Sequence, residues 1–143
     1  MRTTSASTPD LAGRLRLTIV RTARRLRQEA GTELSPSLTA ALSTVERHGP
    51  LTPSEVALRE RIQRPTVTRV LTRLEEQGLI ERTPDPQDRR SSLVSTTDAG
   101  RALLAELRTR KTAFLAHRID GLDADDRATL ARAAEILEGL IAR

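Results

Sequence analysis

Two short helical patterns joined by a tight turn constrain the fold of this chain more than any other feature. The run from Thr52 to Glu55 has the pattern of a capping box, in which the threonine hydroxyl accepts from the glutamate amide and the carboxylate accepts from the threonine amide. Pro65 can begin a second helix but would disrupt the middle of one, so the first helix must end before it. The pattern predicts two helices that meet near residues 62–63, with Gly78 ending the second.

A charged hairpin is predicted directly after these two helices. Two short runs typical of β-strands, 79–83 and 91–96, flank residues 84–90, whose Pro and Asp content is typical of a turn. Upstream, the Ser-Pro pair at 35–36 predicts another helix, because serine is a preferred N-cap and proline fits the first helical position. Residues 35–97 are therefore predicted to form one lobe, mainly α with a small β-hairpin.

Amphipathic helical patterns at both ends of the chain flank this lobe. Apolar residues recur every three or four positions over residues 10–30, and two more helices are predicted within residues 98–143. Residues 1–9, which are rich in Ser and Thr, are predicted to be a flexible tail. Because a length of 143 residues is typical of one domain, residues 10–143 are interpreted as a single domain.

Positive charge is concentrated around the second helix of the central pair. Four arginines occur there without an intervening acidic residue, an arrangement that favours contact with phosphate groups: Arg61, Arg64, Arg69 and Arg73. The net charge of the chain is +5, and all but one of its 24 basic residues are arginine. Since a GC-rich genome would produce the same arginine bias, basicity alone leaves both nucleic-acid binding and codon usage as explanations.

Several short runs carry a family resemblance by their order and spacing. They are Pro65-Thr66-Val67-Thr68-Arg69-Val70, Arg73-Leu74-Glu75, Gly78-Leu79-Ile80, Arg82, Asp85-Pro86-Gln87-Asp88-Arg89-Arg90 and Thr97-Asp98-Ala99-Gly100. In these runs the chain resembles the MarR family of bacterial transcriptional regulators over residues 10–143. The resemblance implies a winged helix-turn-helix in which the hairpin is the wing, and in which the helices of 10–30 and 98–143 form a dimerisation region. Gln63 departs from the family pattern, in which a small capping serine is common, and Thr96 stands where leucine is usual.

The exposed face of the second helix of the pair has residue types suited to a DNA groove. Side chains near the start of such a helix reach base edges in a major groove about 12 Å wide. Thr66 and Thr68 can touch phosphates or a thymine methyl group, and Arg69 and Arg73 can pair with phosphate or guanine, with Arg64 beside them. The alternative interpretation is an ordinary solvated face of an amphipathic helix.

The tip of the predicted wing carries two arginines beside an aspartate. Arginines at a turn tip suit the narrow, electronegative minor groove. The resemblance assigns insertion to Arg90, a phosphate contact to Arg89 and a supporting role to Asp88, whose carboxylate would hold the Arg90 guanidinium in one direction. The alternative is a solvated turn with an exposed ion pair worth about 0.5 kcal/mol.

The resemblance implies a sequence-specific regulator that binds double-stranded DNA. Such a protein would be a repressor that binds a pseudo-palindromic operator as a homodimer and is released by a small-molecule effector, often an aromatic anion. The ligand-binding residues are unknown, since the chain contains one aromatic residue. Two alternatives remain: the terminal helices could pack within one chain, and the winged helix could be a protein-interaction module that binds no DNA.

Neither catalysis nor a bound cofactor is predicted. The two histidines, His48 and His117, are far apart in sequence, and the chain has no HExxH, GxSxG, P-loop or glycine-rich dinucleotide motif. The absence of cysteine excludes disulfide scaffolds and thiolate metal sites. The aspartates from Asp120 to Asp126 lack the pattern of an EF-hand and are interpreted as a helix start, with no metal. Without a signal peptide or membrane span, the expected location is the cytoplasm.

Overall fold

The computed structural model describes residues 6–142, and the prediction of a mainly α-helical chain with one small β-hairpin is confirmed. The elements within this range are α1 (Thr8–Ala30), α2 (Pro36–His48), α3 (Pro53–Glu60), α4 (Arg64–Glu76), β1 (Ile80–Pro84), β2 (Ser92–Thr96), α5 (Asp98–Asp120) and α6 (Ala124–Ile141). The strands are antiparallel, with Ile80 opposite Thr96 and Pro84 opposite Ser92. None of these helices, within residues 6–142, is long and apolar enough to cross a membrane.

The predicted helix caps form as expected in α2 and α3. The Ser35 hydroxyl accepts from the amide of Leu38 at 3.3 Å. In the capping box, the Thr52 hydroxyl accepts from the Glu55 amide at 3.2 Å, and the Glu55 carboxylate accepts from the Thr52 amide at 3.1 Å. These bonds satisfy backbone donors that have no partner inside the helix, which is why the two helices begin where the sequence indicates.

The prediction of a tail over residues 1–9 is wrong at its end, since α1 begins at Thr8. The Ser7 hydroxyl accepts from the amide of Asp10 at 3.3 Å and therefore acts as an N-cap, while Pro9 fits the first helical turn, where its missing amide proton is not needed. The part of the prediction that concerns residues 1–5 lies outside the described residues.

The chain divides into two compact units. The central unit comprises Ala30–Thr109, and the terminal unit comprises the described residues of 1–29 and 110–143. The largest fully buried side chains of the central unit come from α2, α3, α4, β2 and the first half of α5: Leu42, Val45, Val56, Val67, Leu71, Leu74, Val94 and Leu107. Leu51 pairs with Val94 through hydrogen bonds of 3.0 and 2.7 Å, which attaches the hairpin to the segment between α2 and α3.

The terminal unit contains the only aromatic side chain of the protein, Phe114. The guanidinium carbons of Arg118 and Arg25 lie 4.9 and 5.8 Å from its ring centroid, within the range of cation–π contacts. Many large apolar side chains of this unit remain exposed in the single chain: Leu11, Leu17, Ile19, Val20, Leu122, Leu130, Ile136, Leu140 and Ile141. The core of the protein therefore lies mainly in the central unit.

Candidate nucleic-acid interface

Helix α4 buries one face and exposes the other. Its buried side chains are Val67, Val70, Leu71 and Leu74, which recur at helical spacing. Of the residues predicted to contact DNA, Arg64, Thr68, Arg69 and Arg73 are exposed, and Thr66 is half-buried. The Thr68 hydroxyl donates to the Arg64 carbonyl at 3.0 Å, so its proton is used within the helix. The packing of α4 thus presents two arginines one turn apart, Arg69 and Arg73, to solvent.

The turn between α3 and α4 is three residues long and begins with a residue in the left-handed conformation. Arg61 has φ 53° and ψ 45°, a conformation that favours glycine, and the amide of Ile62 donates to the Ala57 carbonyl at 3.1 Å. Gln63 is the N-cap of α4 but makes no side-chain cap bond. The Arg64 guanidinium donates to the Ser54 hydroxyl, which connects the starts of α3 and α4.

The end of α4 leads directly into the wing. Gly78 has φ 71°, and the amide of Leu79 donates to the Leu74 carbonyl at 3.0 Å, which ends the helix and reverses the chain. The Nε atom of Arg82 on β1 lies 3.3 Å from Oε2 of Glu75 on α4. An ion pair therefore joins α4 to β1, the first strand of the hairpin.

The wing tip is ordered by two aspartates that hydrogen-bond to the backbone. Oδ1 of Asp85 accepts from the amide of Gln87 at 2.9 Å, and Oδ1 of Asp88 accepts from the amide of Arg90 at 3.0 Å. The expected contact between the Asp88 carboxylate and the Arg90 guanidinium is not formed in the part of the chain that the structure describes. A carboxylate two residues before an amide closes an Asx turn, so Asp88 orders the backbone instead. Arg89 and Arg90 have exposed side chains.

Two supporting contacts were missed by sequence reasoning. Ser54 and Glu75 were not singled out, yet they hold Arg64 and Arg82, respectively. The two residues of each pair lie on different elements, so helical periodicity carries no signal for either contact. The predicted DNA-contacting residues themselves all belong to the central unit, on α4 and on the wing.

The aspartates near the start of α6 act as helix-capping groups. Oδ1 of Asp123 accepts from the amide of Asp126 at 2.8 Å, which confirms the interpretation of this run as a helix start. Among residues 6–142, no group of three or more His, Cys, Asp or Glu side chains is arranged to hold a metal ion.

Comparison with known proteins identifies the family. The MarR family model matches residues 34–92. An uncharacterized HTH-type transcriptional regulator of Mycobacterium bovis is 35% identical over 132 residues, which are 92% of each chain. The HTH-type transcriptional repressor MdtR of Bacillus subtilis is 32% identical over 109 residues, 71% of this chain and 70% of MdtR.

Solved structures agree with this assignment. A crystal structure of a protein from Pseudomonas aeruginosa, described as a transcriptional regulator, has a TM-score of 0.83 at 34% identity and covers 93% of this chain and 95% of that one. FabT of Streptococcus pneumoniae, solved in complex with DNA, shares the fold with a TM-score of 0.67 at 22% identity, over 92% of this chain and 97% of FabT. The chain is therefore not an enzyme but a member of the MarR family of DNA-binding HTH-type transcriptional regulators.

Proposed function

We propose that the chain is a repressor that binds a pseudo-palindromic operator as a homodimer. Each copy would place α4 in the major groove and its wing tip in the adjacent minor groove. The observation that carries this proposal is the exposed face of α4, where Arg69 and Arg73 lie one helical turn apart beside a wing whose tip exposes Arg89 and Arg90. Residues 35–97 form the DNA-binding lobe in this proposal.

The DNA contact proposed for each residue of α4 depends on which of its polar groups are not already hydrogen-bonded within the protein. Arg69 and Arg73 contact phosphate or guanine, and Arg64 contacts phosphate from its position beside Ser54. Thr66 and Thr68 lie near the start of α4, where side chains approach the groove. Because the hydroxyl proton of Thr68 is used by the Arg64 carbonyl, the contact proposed for Thr68 is apolar, with a thymine methyl group.

The wing contributes the minor-groove contact. Arg90 is proposed to enter the narrow groove, where the negative potential is strongest, and Arg89 to contact a phosphate. Asp88 supports Arg90 by holding its backbone amide at 3.0 Å. The ion pair between Arg82 and Glu75 keeps the first wing strand next to α4, so that both parts of the lobe can meet neighbouring grooves.

The terminal helices are proposed to form the homodimer. Residues 10–30 and 98–143 carry apolar side chains that one chain leaves in solvent, among them Leu140, 65% exposed, and Ile141, 83% exposed. Large clusters of exposed apolar side chains are typical of protein–protein interfaces. A two-fold dimer would bury them and would present two copies of α4 to the two halves of an operator.

Repression would follow from occupancy of a promoter, and the relative MdtR is itself named a transcriptional repressor. We further propose release by a small aromatic anion, on the basis of the family resemblance. If no member of a panel of aromatic carboxylates lowers the affinity for DNA, the proposed effector class is wrong.

Binding to chromosomal DNA would place the protein in the cytoplasm.

A gel-shift titration with DNA from upstream of the protein's own gene tests the central proposal. The expected result is a specific complex that survives competitor DNA and weakens as salt is raised, because phosphate contacts release counterions. A double variant, Arg69→Ala with Arg73→Ala, should abolish the complex without unfolding the chain. A folded wild-type protein that shifts neither specific nor competitor DNA would favour the protein-interaction module instead.

A further inference from the structure

The side chain of Gln63 forms no hydrogen bond with the described residues, 6–142. Gln63 is the N-cap of α4, with φ −73° and ψ 150°, and its carbonyl accepts from the amide of Val67 at 3.0 Å. Its side chain makes no cap bond and is exposed. Within residues 6–142, no hydrogen bond to its carboxamide group is formed, so both the donor and the acceptor of that group are available.

Other helix starts in the same chain are capped by short side chains. Ser35, Thr52 and Asp123 each accept a hydrogen bond from a backbone amide three residues later. Serine, threonine, aspartate and asparagine are preferred at this position because their oxygen reaches that amide, whereas glutamine is longer and is not among the favoured caps. The start of α4 therefore lacks the stabilising side-chain cap bond, and the N-cap position carries an exposed carboxamide instead.

The position of Gln63 suits base recognition. In helix-turn-helix proteins, residues at the start of the recognition helix contact base edges. A carboxamide can accept from N6 of adenine and donate to N7 at once, a pairing that other bases do not offer in the major groove. The neighbouring Arg64 guanidinium donates to the Ser54 hydroxyl, whereas the carboxamide of Gln63 makes no such bond within residues 6–142.

We propose that Gln63 determines sequence specificity by reading one adenine in each half of the operator. This inference rests on the proposed function, since it requires that α4 enters the major groove. It names a residue outside the set on the exposed face of α4, and it predicts a base rather than a phosphate contact.

The test is a selection from randomised operator DNA with four full-length proteins. They are the wild type, Gln63→Ser, Gln63→Glu and the control Gln77→Glu, which makes the same amide-to-acid change at the exposed C-cap of the same helix. The wild type should prefer adenine at one position of each half-site on the order of tenfold. Gln63→Glu should replace adenine by cytosine there, because a carboxylate accepts from N4 of cytosine.

The melting temperature distinguishes base recognition from helix capping as the role of Gln63. Gln63→Ser should lose the preference at that single position while its melting temperature is unchanged or higher, because serine is a favoured N-cap. Gln77→Glu should keep the wild-type preference. If Gln63→Ser and Gln63→Glu both select the wild-type base at every position, the inference is overturned while the proposed function stands. If the wild type itself enriches no sequence, both proposals are overturned.

Discussion

The carboxylate of Asp88 accepts a hydrogen bond of 3.0 Å from the backbone amide of Arg90. This bond closes a turn at the wing tip, next to a second backbone bond in which the amide of Ser91 donates to the Asp88 carbonyl at 3.0 Å. One acidic residue thus sets the path of the backbone that carries Arg89 and Arg90. Its effect on DNA binding is expected to come from this geometry rather than from its charge.

Replacing Asp88 by alanine should weaken DNA binding, although it removes a negative charge from a site that faces a polyanion. The substitution deletes the acceptor for the Arg90 amide and lets the wing tip move, so part of the Arg90 contact is lost. Fluorescence anisotropy at fixed salt measures the change. Asp88→Asn is the matched control: it keeps an oxygen acceptor without the charge and should bind as well as the wild type or better. Unchanged or tighter binding by Asp88→Ala would contradict the proposal that Asp88 positions Arg90 for its contact with DNA.

Arg90→Ala should show a loss that depends on the DNA sequence beside the recognition sites. Narrow minor grooves in A·T-rich DNA attract inserted arginine more strongly than wider G·C-rich grooves do. We expect a loss of about 1–3 kcal/mol on an operator with A·T-rich flanks and a smaller loss on one with G·C-rich flanks. Paired anisotropy titrations on the two duplexes provide the comparison, and equal losses would contradict insertion of Arg90 into the groove.

Arg73→Ala should weaken binding to all sequences alike if Arg73 contacts only phosphate. The salt dependence of the binding constant should then fall by about one unit of slope, because one fewer counterion is released. Binding titrations at four or more salt concentrations give the slope. Arg132→Ala removes the same charge from α6 and should leave the slope unchanged; a steep slope retained by Arg73→Ala would place that side chain away from the backbone of DNA.

The wild-type protein should be a homodimer with twice the chain mass of 15.8 kDa at micromolar concentration. Leu140→Asp should lower the mass toward that of one chain, because it places a charge among apolar side chains that the dimer buries. Leu58 on α3 is a matched control, since it is 79% exposed but lies outside the terminal helices. Leu58→Asp should leave the mass unchanged. Light scattering that returns a monomer for the wild type would refute the dimer.

Gly100→Ala should destabilise the fold through a contact that side-chain rotation cannot relieve. A Cβ atom at Gly100 would lie 2.2 Å from the Leu79 carbonyl oxygen and 2.7 Å from Cγ2 of Thr96. Overpacking of this kind costs about 1–3 kcal/mol in free energy of unfolding. Gly139 on α6 has no neighbour within 4 Å of the same atom, so Gly139→Ala should instead stabilise the helix by about 0.5–1 kcal/mol. Urea unfolding at matched concentration tests both signs, and a Gly100→Ala midpoint at or above the wild-type value would be inconsistent with this packing.

Helix starts and ends were readable from the sequence because the groups that decide them are close along the chain. The Ser35 and Thr52 caps act over three residues, and the turn at Gly78 closes with a bond from Leu79 to Leu74. The apolar pattern predicts that α1 begins at Asp10, which is wrong, because the cap at Ser7 starts the helix two residues earlier, at Thr8. Each of these features depends on short-range hydrogen bonds and on the conformations allowed to single residues.

Contacts between distant parts of the chain were decided only by the tertiary structure. Packing of α3 against α4 brings Ser54 to Arg64, and the return of the hairpin brings Leu51 to Val94. The partner of Asp88 belongs to the same class: the family resemblance implied a supporting role, but only the turn geometry selected the backbone amide over the guanidinium. A one-dimensional pattern specifies which residues share a helix face, whereas the choice among partners of similar chemistry depends on the three-dimensional path of the backbone.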